Sequence, residues 1–301
     1  MMKNKLRFGL CCAFLREPIL FRRTTAAFIQ KKERGEQLAM LAEICRHNAR
    51  SLLAAFAYCR DSGIGCFRIN SQILPLKTHP ALGYAVAELP GGNEIAGMFR
   101  QCGAFCRSHG LRATFHPDQF NVLSSPDPDI VQRAVAELSY QAEVAGWVGA
   151  DVLNLHAGGA YGDKAAALKR VVRVIQGLPK KIRRLLTLEN DDRLFTPEDL
   201  LPVCREAGVP LVYDIMHHRV LPDSLSQRQA TRLAAATWDR EPLVHLSSPL
   251  GGWGSASPRN HSPYIDPADF PPFWRNRAMT IEVEAKAKEL AVLELMRICA
   301  G

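Results

Sequence analysis

The sequence has no apolar run near the ~20 residues that a membrane-spanning helix needs, and no C-x-x-C pair. The first absence argues against a helical membrane protein, and the second against zinc held by thiolates. No G-x-G-x-x-G follows the first apolar run, which argues against a dinucleotide-binding fold. Acidic residues are in deficit: 30 Asp and Glu stand against 38 Lys and Arg, a net charge of +8. Such a balance points to an anionic partner, nucleic acid first, although many basic proteins bind none. Basic clusters lie at Arg22-Arg23, Lys31-Lys32 and Lys180-Lys181 with Arg183-Arg184, the last of which also reads as a solvated helix end.

The nine cysteines are an odd number, with Cys11 beside Cys12 and Cys102 one helical turn from Cys106. They read as reduced core thiols in a reducing compartment. At the start, Lys3, Lys5 and Arg7 lead into a short apolar run from Phe8 to Leu15. Arg16 and Glu17 follow it in place of a small-residue cleavage site, so the run reads as a first strand and the protein as cytoplasmic.

What is present is an ordinary globular composition, 47% hydrophobic and 23% charged over 301 residues. Barrels of alternating strands and helices run to about 250 residues as one domain, so a single domain over 1–301 is expected. Eight short apolar, β-branched runs occur at 6–10, 66–70, 112–115, 152–155, 185–188, 211–213, 243–246 and 280–283. Between them lie segments of helical period at 37–60, 93–109, 128–148, 164–176, 197–206 and 226–236, with 286–298 closing the chain. Val131, Val135, Leu138, Ala142 and Ala145, for example, recur at steps of four and three. Asp127-Pro128 and Thr196-Pro197 read as helix starts, Gly110 and Gly208 as helix ends. Eight strand–helix units with right-handed crossovers favour an α/β fold of the (β/α)8 TIM-barrel type over an open sheet. Two long Pro- and Gly-rich loops, 70–92 and 247–277, follow expected strand ends, where barrel active sites are built.

The expected strand ends carry one kind of chemistry. Strands 3 to 8 end at or near His116, His156, Glu189, Asp214, His245 and Glu284. In a barrel these positions converge around one axis. A lone histidine at a strand end is commonly a satisfied polar residue. Six such groups in succession would repel or go unpaired without metal. His217 follows Asp214 as Asp-x-x-His, which turns both toward one ion, while His79 and His261 lie in the two long loops. His218 cannot easily point the same way as its neighbour His217, and His47 and His109 sit on helices. The imidazole and carboxylate set suits Mn²⁺, Zn²⁺, Fe²⁺ or Mg²⁺. Eight or nine ligands exceed one ion's shell, so about two or three ions are expected, some bridged by Glu189 or Asp214. Such sites clamp both oxygens of a phosphoryl displacement. On a basic protein they suggest phosphodiester hydrolysis.

Arg68-Ile69, Thr78-His79-Pro80, His116-Pro117-x-Gln119 and Ser125-Pro126-Asp127-Pro128 open a series of motifs. It continues through Leu155-His156-Ala157-Gly158-Gly159-Ala160-Tyr161-Gly162, Leu188-Glu189-Asn190-Asp191 and Asp214-x-x-His217-His218. Val244-His245-Leu246-Ser247 and Val283-Glu284-Ala285-Lys286 complete it. In order and placement the series resembles the UV damage endonucleases, which themselves resemble endonuclease IV. The resemblance implies an enzyme, typically with Mn²⁺, that nicks damaged double-stranded DNA 5′ to UV photoproducts and other lesions. It implies metal ligands at His79, His116, His156, Glu189, Asp214, His217, His245, His261 and Glu284. It also implies a damage-probing pair, Gln-Tyr in the family and Gln119-Phe120 here; the ring otherwise only covers the barrel mouth. Glu189 and Asp214 would hold the ions. Lys286 would neutralise the phosphate or pair with a barrel carboxylate.

Two positions depart from the family. Its strand 1 tyrosine matches Leu10, and a carboxylated lysine two residues before the strand 7 histidine matches Leu243, inside the barrel. Two other readings stand beside the nuclease: a sugar or hydroxy-acid isomerase on a similar metal barrel, and a lesion-binding relative without turnover. Nothing in the sequence points to a membrane or to an obligate protein partner.

Overall fold

Inward and outward residues alternate along eight parallel strands that close on themselves in chain order. The computed structural model describes residues 6–300, so Lys3, Lys5 and Gly301 lie outside the described residues. The strands are β1 (Leu6–Cys11), β2 (Cys66–Ile69), β3 (Arg112–Phe115), β4 (Val152–His156), β5 (Leu186–Glu189), β6 (Leu211–Asp214), β7 (Leu243–Leu246) and β8 (Met279–Val283). β1 pairs with both β2 and β8, which leaves no free edge. The expected (β/α)8 TIM barrel is the observed one, with strand ends displaced by a residue at several places.

Helix boundaries follow their caps. Asp127 accepts from the Asp129 N–H ahead of helix Pro128–Val148. Thr196 and Asp199 form a capping box at helix Pro197–Ala207. Gly110 and Gly208 end their helices at φ 64° and 67°, a conformation that favours glycine. The closing helix is Glu289–Ala300, so Lys286 lies in the turn before it rather than in its first turn as expected. The short helices Ala26–Ile29, Lys180–Arg183 and Ile215–Val220 were not anticipated. Helix Lys180–Arg183 precedes β5, which puts that basic cluster at the strand-entry end of the barrel.

The outward residues Leu10, Phe67, Phe115, Leu155, Leu188, Tyr213, Leu246 and Val283 pack against the helices as one large core. The inward residues form layers. At the strand-entry end, Arg112 holds Asp151 at 2.9 Å and Thr280 Oγ1 at 3.0 Å, and Arg7 holds Glu241 at 2.9 Å. Val152, Val212 and Leu243 form a separate dry layer inside the barrel. Above it, toward the strand ends, the interior turns polar with Thr114, Asn154, Thr187, Glu189 and Glu282, all buried.

Leu10 therefore does not occupy the place expected of it. It faces the helices, and the inward residue at that strand end is Cys11, which lines a cavity with Arg68, Glu284 and Lys286. A slip of one residue moves a strand position to the other face. Leu243 is inside the barrel as expected, packed on Val152 and Val212. Among the described residues no helix is long and apolar enough to cross a membrane.

Candidate metal centre

The last inward residues of β4 to β7 and the first residues beyond β3 and β8 meet at the strand-exit face. Glu189 is at the centre and only 1% exposed. Its Oε2 is 2.9 Å from His116 Nε2 and 3.8 Å from His156 Nε2. Its Oε1 is 3.0 Å from His245 Nδ1 and 3.5 Å from His217 Nδ1. Asn154 Nδ2 donates to Oε2 at 2.5 Å and is itself held by Thr187 at 2.9 Å.

Asp214 ends β6 and caps helix Ile215–Val220 by accepting the His217 N–H at 2.8 Å. That one turn explains the Asp-x-x-His spacing. Asn190 fixes Asp214 through both backbone groups, at 2.9 and 3.0 Å. On the far side Glu284 Oε1 lies 3.4 Å from His245 Nδ1, and Oε2 lies 3.6 Å from His261 Nδ1. Arg68 Nη1 reaches Glu284 at 2.6 Å.

Three sets of donor atoms lie close enough to share an ion: His116, His156 and Glu189; Glu189, Asp214 and His217; and Asp214, His245 and Glu284. Glu189 and Asp214 each belong to two sets, the pattern of bridging carboxylates. Second contacts orient the rings. His116 Nδ1 lies 3.0 Å from the Pro117 carbonyl and His217 Nδ1 3.0 Å from that of Asn190. A carbonyl at Nδ1 takes a ring proton, which in His116 leaves Nε2, the nitrogen beside Glu189, as the free donor.

The electrostatics are those of a crowded buried cluster. Burial pushes the Glu189 carboxyl up, but His245 and His156 outweigh it and hold it well below the carboxylate range. Burial lowers His245, yet Glu189 and Glu284 raise it well above an ordinary imidazole. His156 is lowered by burial, only partly opposed by Glu189. Burial raises Glu284, and Arg68 and His245 more than reverse this. Asp214 Oδ2 and His156 Nδ1 are buried without hydrogen-bond partners. A divalent cation fits this set of nitrogen and oxygen donors and would satisfy an orphaned carboxylate oxygen.

Seven of the nine expected ligands thus fall into the three sets. His261 joins only through Glu284. His79 turns its Nδ1 to the N–H groups of Ala81 and Leu82, both at 3.2 Å, and caps its own loop. His218 is buried between Tyr213 Oη at 2.8 Å and Asp223 at 2.9 Å, a packing role. Lys286 is exposed and has no ion pair among the described residues; its backbone N–H bonds Ser262. Gln119 and Phe120 are exposed at the rim, Phe120 at 79%, beside a cavity of about 360 Å³ that His116, His156 and Glu284 also line.

Sequence reasoning passed over Arg68 as a carboxylate partner and Glu282 altogether. The signal was there: Glu282 is two residues before Glu284, the spacing that keeps a strand residue on the inner face. All four non-glycine residues with positive φ among the described residues, Cys12, Leu76, Tyr161 and Lys288, lie in connections leaving strand ends on this side. Backbone strain of this kind collects at functional sites.

The family model for UV-endonuclease UvdE matches residues 6–300. A UV DNA damage endonuclease of Bacillus velezensis is 34% identical over 285 residues, covering 90% of this chain and 86% of its own. One from Bacillus mycoides is 32% identical over 279 residues, covering 89% and 84%. The crystal structure of SacUVDE superposes with a TM-score of 0.88 at 23% identity, covering 98% of each chain. Endonuclease IV from Thermus thermophilus gives 0.61 at 15% identity, covering 98% of this chain and 97% of that one. A D-psicose 3-epimerase of Clostridium cellulolyticum gives 0.54 at 15% identity, covering 93% and 85%.

Proposed function

The chain belongs to the UV-endonuclease UvdE family, and on that premise we propose that it is a metal-dependent DNA repair endonuclease, one domain over 1–301, that nicks the backbone 5′ to UV photoproducts or other lesions in double-stranded DNA. The observation that carries this reading is the chain of three donor sets joined by Glu189 and Asp214. The barrel fold is common to nucleases and sugar epimerases. The choice of nuclease rests on the family and on the chemistry of the rim.

In this reading His116, His156, Glu189, Asp214, His217, His245 and Glu284 hold about two or three divalent ions, with Mn²⁺ first and Zn²⁺, Mg²⁺ or Fe²⁺ as alternatives. His261 adds a donor beside Glu284, and His79 would have to release its loop contacts to add another. Bound ions supply Lewis acidity and lower the pKa of water at a phosphodiester. Glu189 and Asp214 keep the donor sets at fixed separation. Lys286 and Arg259, which line the same cavity beside Glu284, offset the charge of the DNA phosphate. Gln119 and Phe120 meet the bases at the lesion, where an exposed ring stacks on an unpaired base.

The surface supports a polymeric anionic partner. The large apolar side chains exposed among the described residues are Leu15, Leu20, Phe28, Phe120, Tyr161, Leu194, Leu250 and Tyr264. Every one lies in a connection that leaves a strand end on the side of the cluster. Arg22-Arg23 and Lys31-Lys32 lie in the connection after β1, on that side too. All nine cysteines are free, in keeping with a cytoplasmic enzyme.

The test is a nicking assay on UV-irradiated, abasic and undamaged plasmid, with Mn²⁺ or with chelator. Metal-dependent nicking confined to damaged DNA is expected. Metal-dependent binding of damaged duplex without nicking at any Mn²⁺ concentration would instead identify a lesion binder.

A further inference from the structure

Glu282 lies one inward step deeper on β8 than Glu284 and is 1% exposed. A buried carboxylate is costly unless donors surround it, and this one is surrounded. Thr114 Oγ1 donates to Oε1 from across the barrel. Arg68 Nη1 is 3.2 Å from Oε2 while also holding Glu284. His245 Nε2 is 3.1 Å from Oε2, off the line of a straight hydrogen bond.

β1 makes the room for it. A Cβ on Gly9 would stand 3.2 Å from Glu282 Cγ and 3.2 Å from Cys66 Cβ, tight enough that the neighbouring side chains would have to give way slightly. Four strands besides β8 therefore contribute to the surroundings of one buried carboxylate.

His245 differs from the other rings in what orients it. His116 and His217 give Nδ1 to backbone carbonyls. His245 has a carboxylate where those rings have a carbonyl: its Nδ1 is 3.0 Å from Glu189, 3.4 Å from Glu284 and 4.0 Å from Asp214. A neutral imidazole carries its proton on one nitrogen and its lone pair on the other. Ionised Glu282 only accepts.

We propose that Glu282 is a positioning residue that keeps the His245 proton on Nε2, so that the ring offers Nδ1 to a divalent cation held with Asp214 and Glu284. Arg68 divides the two β8 carboxylates between these tasks: Glu282 faces the ring, Glu284 the cation. The assignment deepens the proposed metal site and rests on it.

The test uses the full chain, stripped of metal, as wild type, Glu282→Gln and Gly9→Ala. Mn²⁺ affinity is read by isothermal titration, and the metal-free unfolding midpoint controls for the fold. Glu282→Gln should weaken Mn²⁺ binding roughly 10- to 100-fold, as loss of a carboxylate behind a ligating histidine does. Gly9→Ala keeps every charge, displaces Glu282 and should weaken binding by less. Long-range ¹H–¹⁵N spectra of the Zn²⁺-loaded wild type should show His245 protonated on Nε2 and ligating through Nδ1; this result stands even if a variant fails to fold. Wild-type affinity in both variants, or ligation through Nε2, overturns the assignment alone. A wild type that binds no divalent ion overturns it together with the metal site.

Discussion

Asp214 starts the helix that carries His217 and also faces its ring: Oδ1 accepts the His217 N–H at 2.8 Å, while Oδ2 is 3.6 Å from His217 Nδ1. One side chain thus does local folding work with one oxygen and offers the other to the cluster. Asn keeps an oxygen for the cap and Ala does not. Asp214→Ala should lose about 1 kcal/mol more metal-free stability than Asp214→Asn, the usual worth of a cap. Both should lose nicking. Urea unfolding beside the plasmid assay separates the two effects, and equal stabilities would detach the cap from the residue.

His217 gives the metal-free protein a pH signature. Burial favours its neutral ring, but Asp214, Glu189 and Glu284 outweigh it and push the pKa up to about 9. An unfolded histidine titrates near ~6.5. The stabilisation is complete below that value and is lost as pH rises toward 9. The melting temperature of chelator-treated protein should fall across this window. Mn²⁺ affinity should rise across it, with protons released on binding, because the metal needs the neutral ring. Titration in two buffers of different ionisation enthalpy counts those protons, and a flat melting temperature with no proton release would contradict the assignment.

Phe120 can be changed without cost to the fold, since it is 79% exposed. Phe120→Ala should leave the melting temperature unchanged and weaken binding to lesion-bearing duplex by about 1–3 kcal/mol, the worth of one stacked base. Phe120→Tyr should behave as wild type. Unchanged lesion affinity in Phe120→Ala would reduce the ring to a cover over the barrel mouth.

Leu243 makes the opposite case. It packs with Val152 and Val212 in the dry layer below His245. Leu243→Ala should cost about 2–5 kcal/mol in urea unfolding, as buried leucines do. The folded fraction should still nick DNA, because Leu243 belongs to none of the donor sets. Loss of nicking at full stability would give this layer a direct part in the chemistry.

The sequence made the ligand-type cluster legible because strand ends in a barrel converge whatever the exact boundaries are. His116, His156, Glu189, Asp214, His245 and Glu284 needed only strand order to be found. Facing was harder to read. Leu10 and Cys11 differ by one position, and a one-residue error in a strand end exchanged helix side for barrel side. Helix Ile215–Val220 was too short to show a period, so the reason for the Asp214 and His217 spacing appeared only with the cap. Glu282 went unread because its neighbour Glu284 already filled the expected role. Its partners Arg68, Thr114 and Gly9 come from three other strands, a juxtaposition that only the closed barrel creates.

The claim on which all of this depends is that Glu189 joins the donor sets into one metal centre. The direct measurement is metal content and nicking of wild type and Glu189→Gln after saturation with Mn²⁺ and removal of excess. The wild type should retain about two or three ions per chain and nick damaged plasmid. Glu189→Gln should retain fewer and leave the plasmid intact. A Glu189→Gln protein that holds as much metal as wild type and nicks at the same rate would contradict the account.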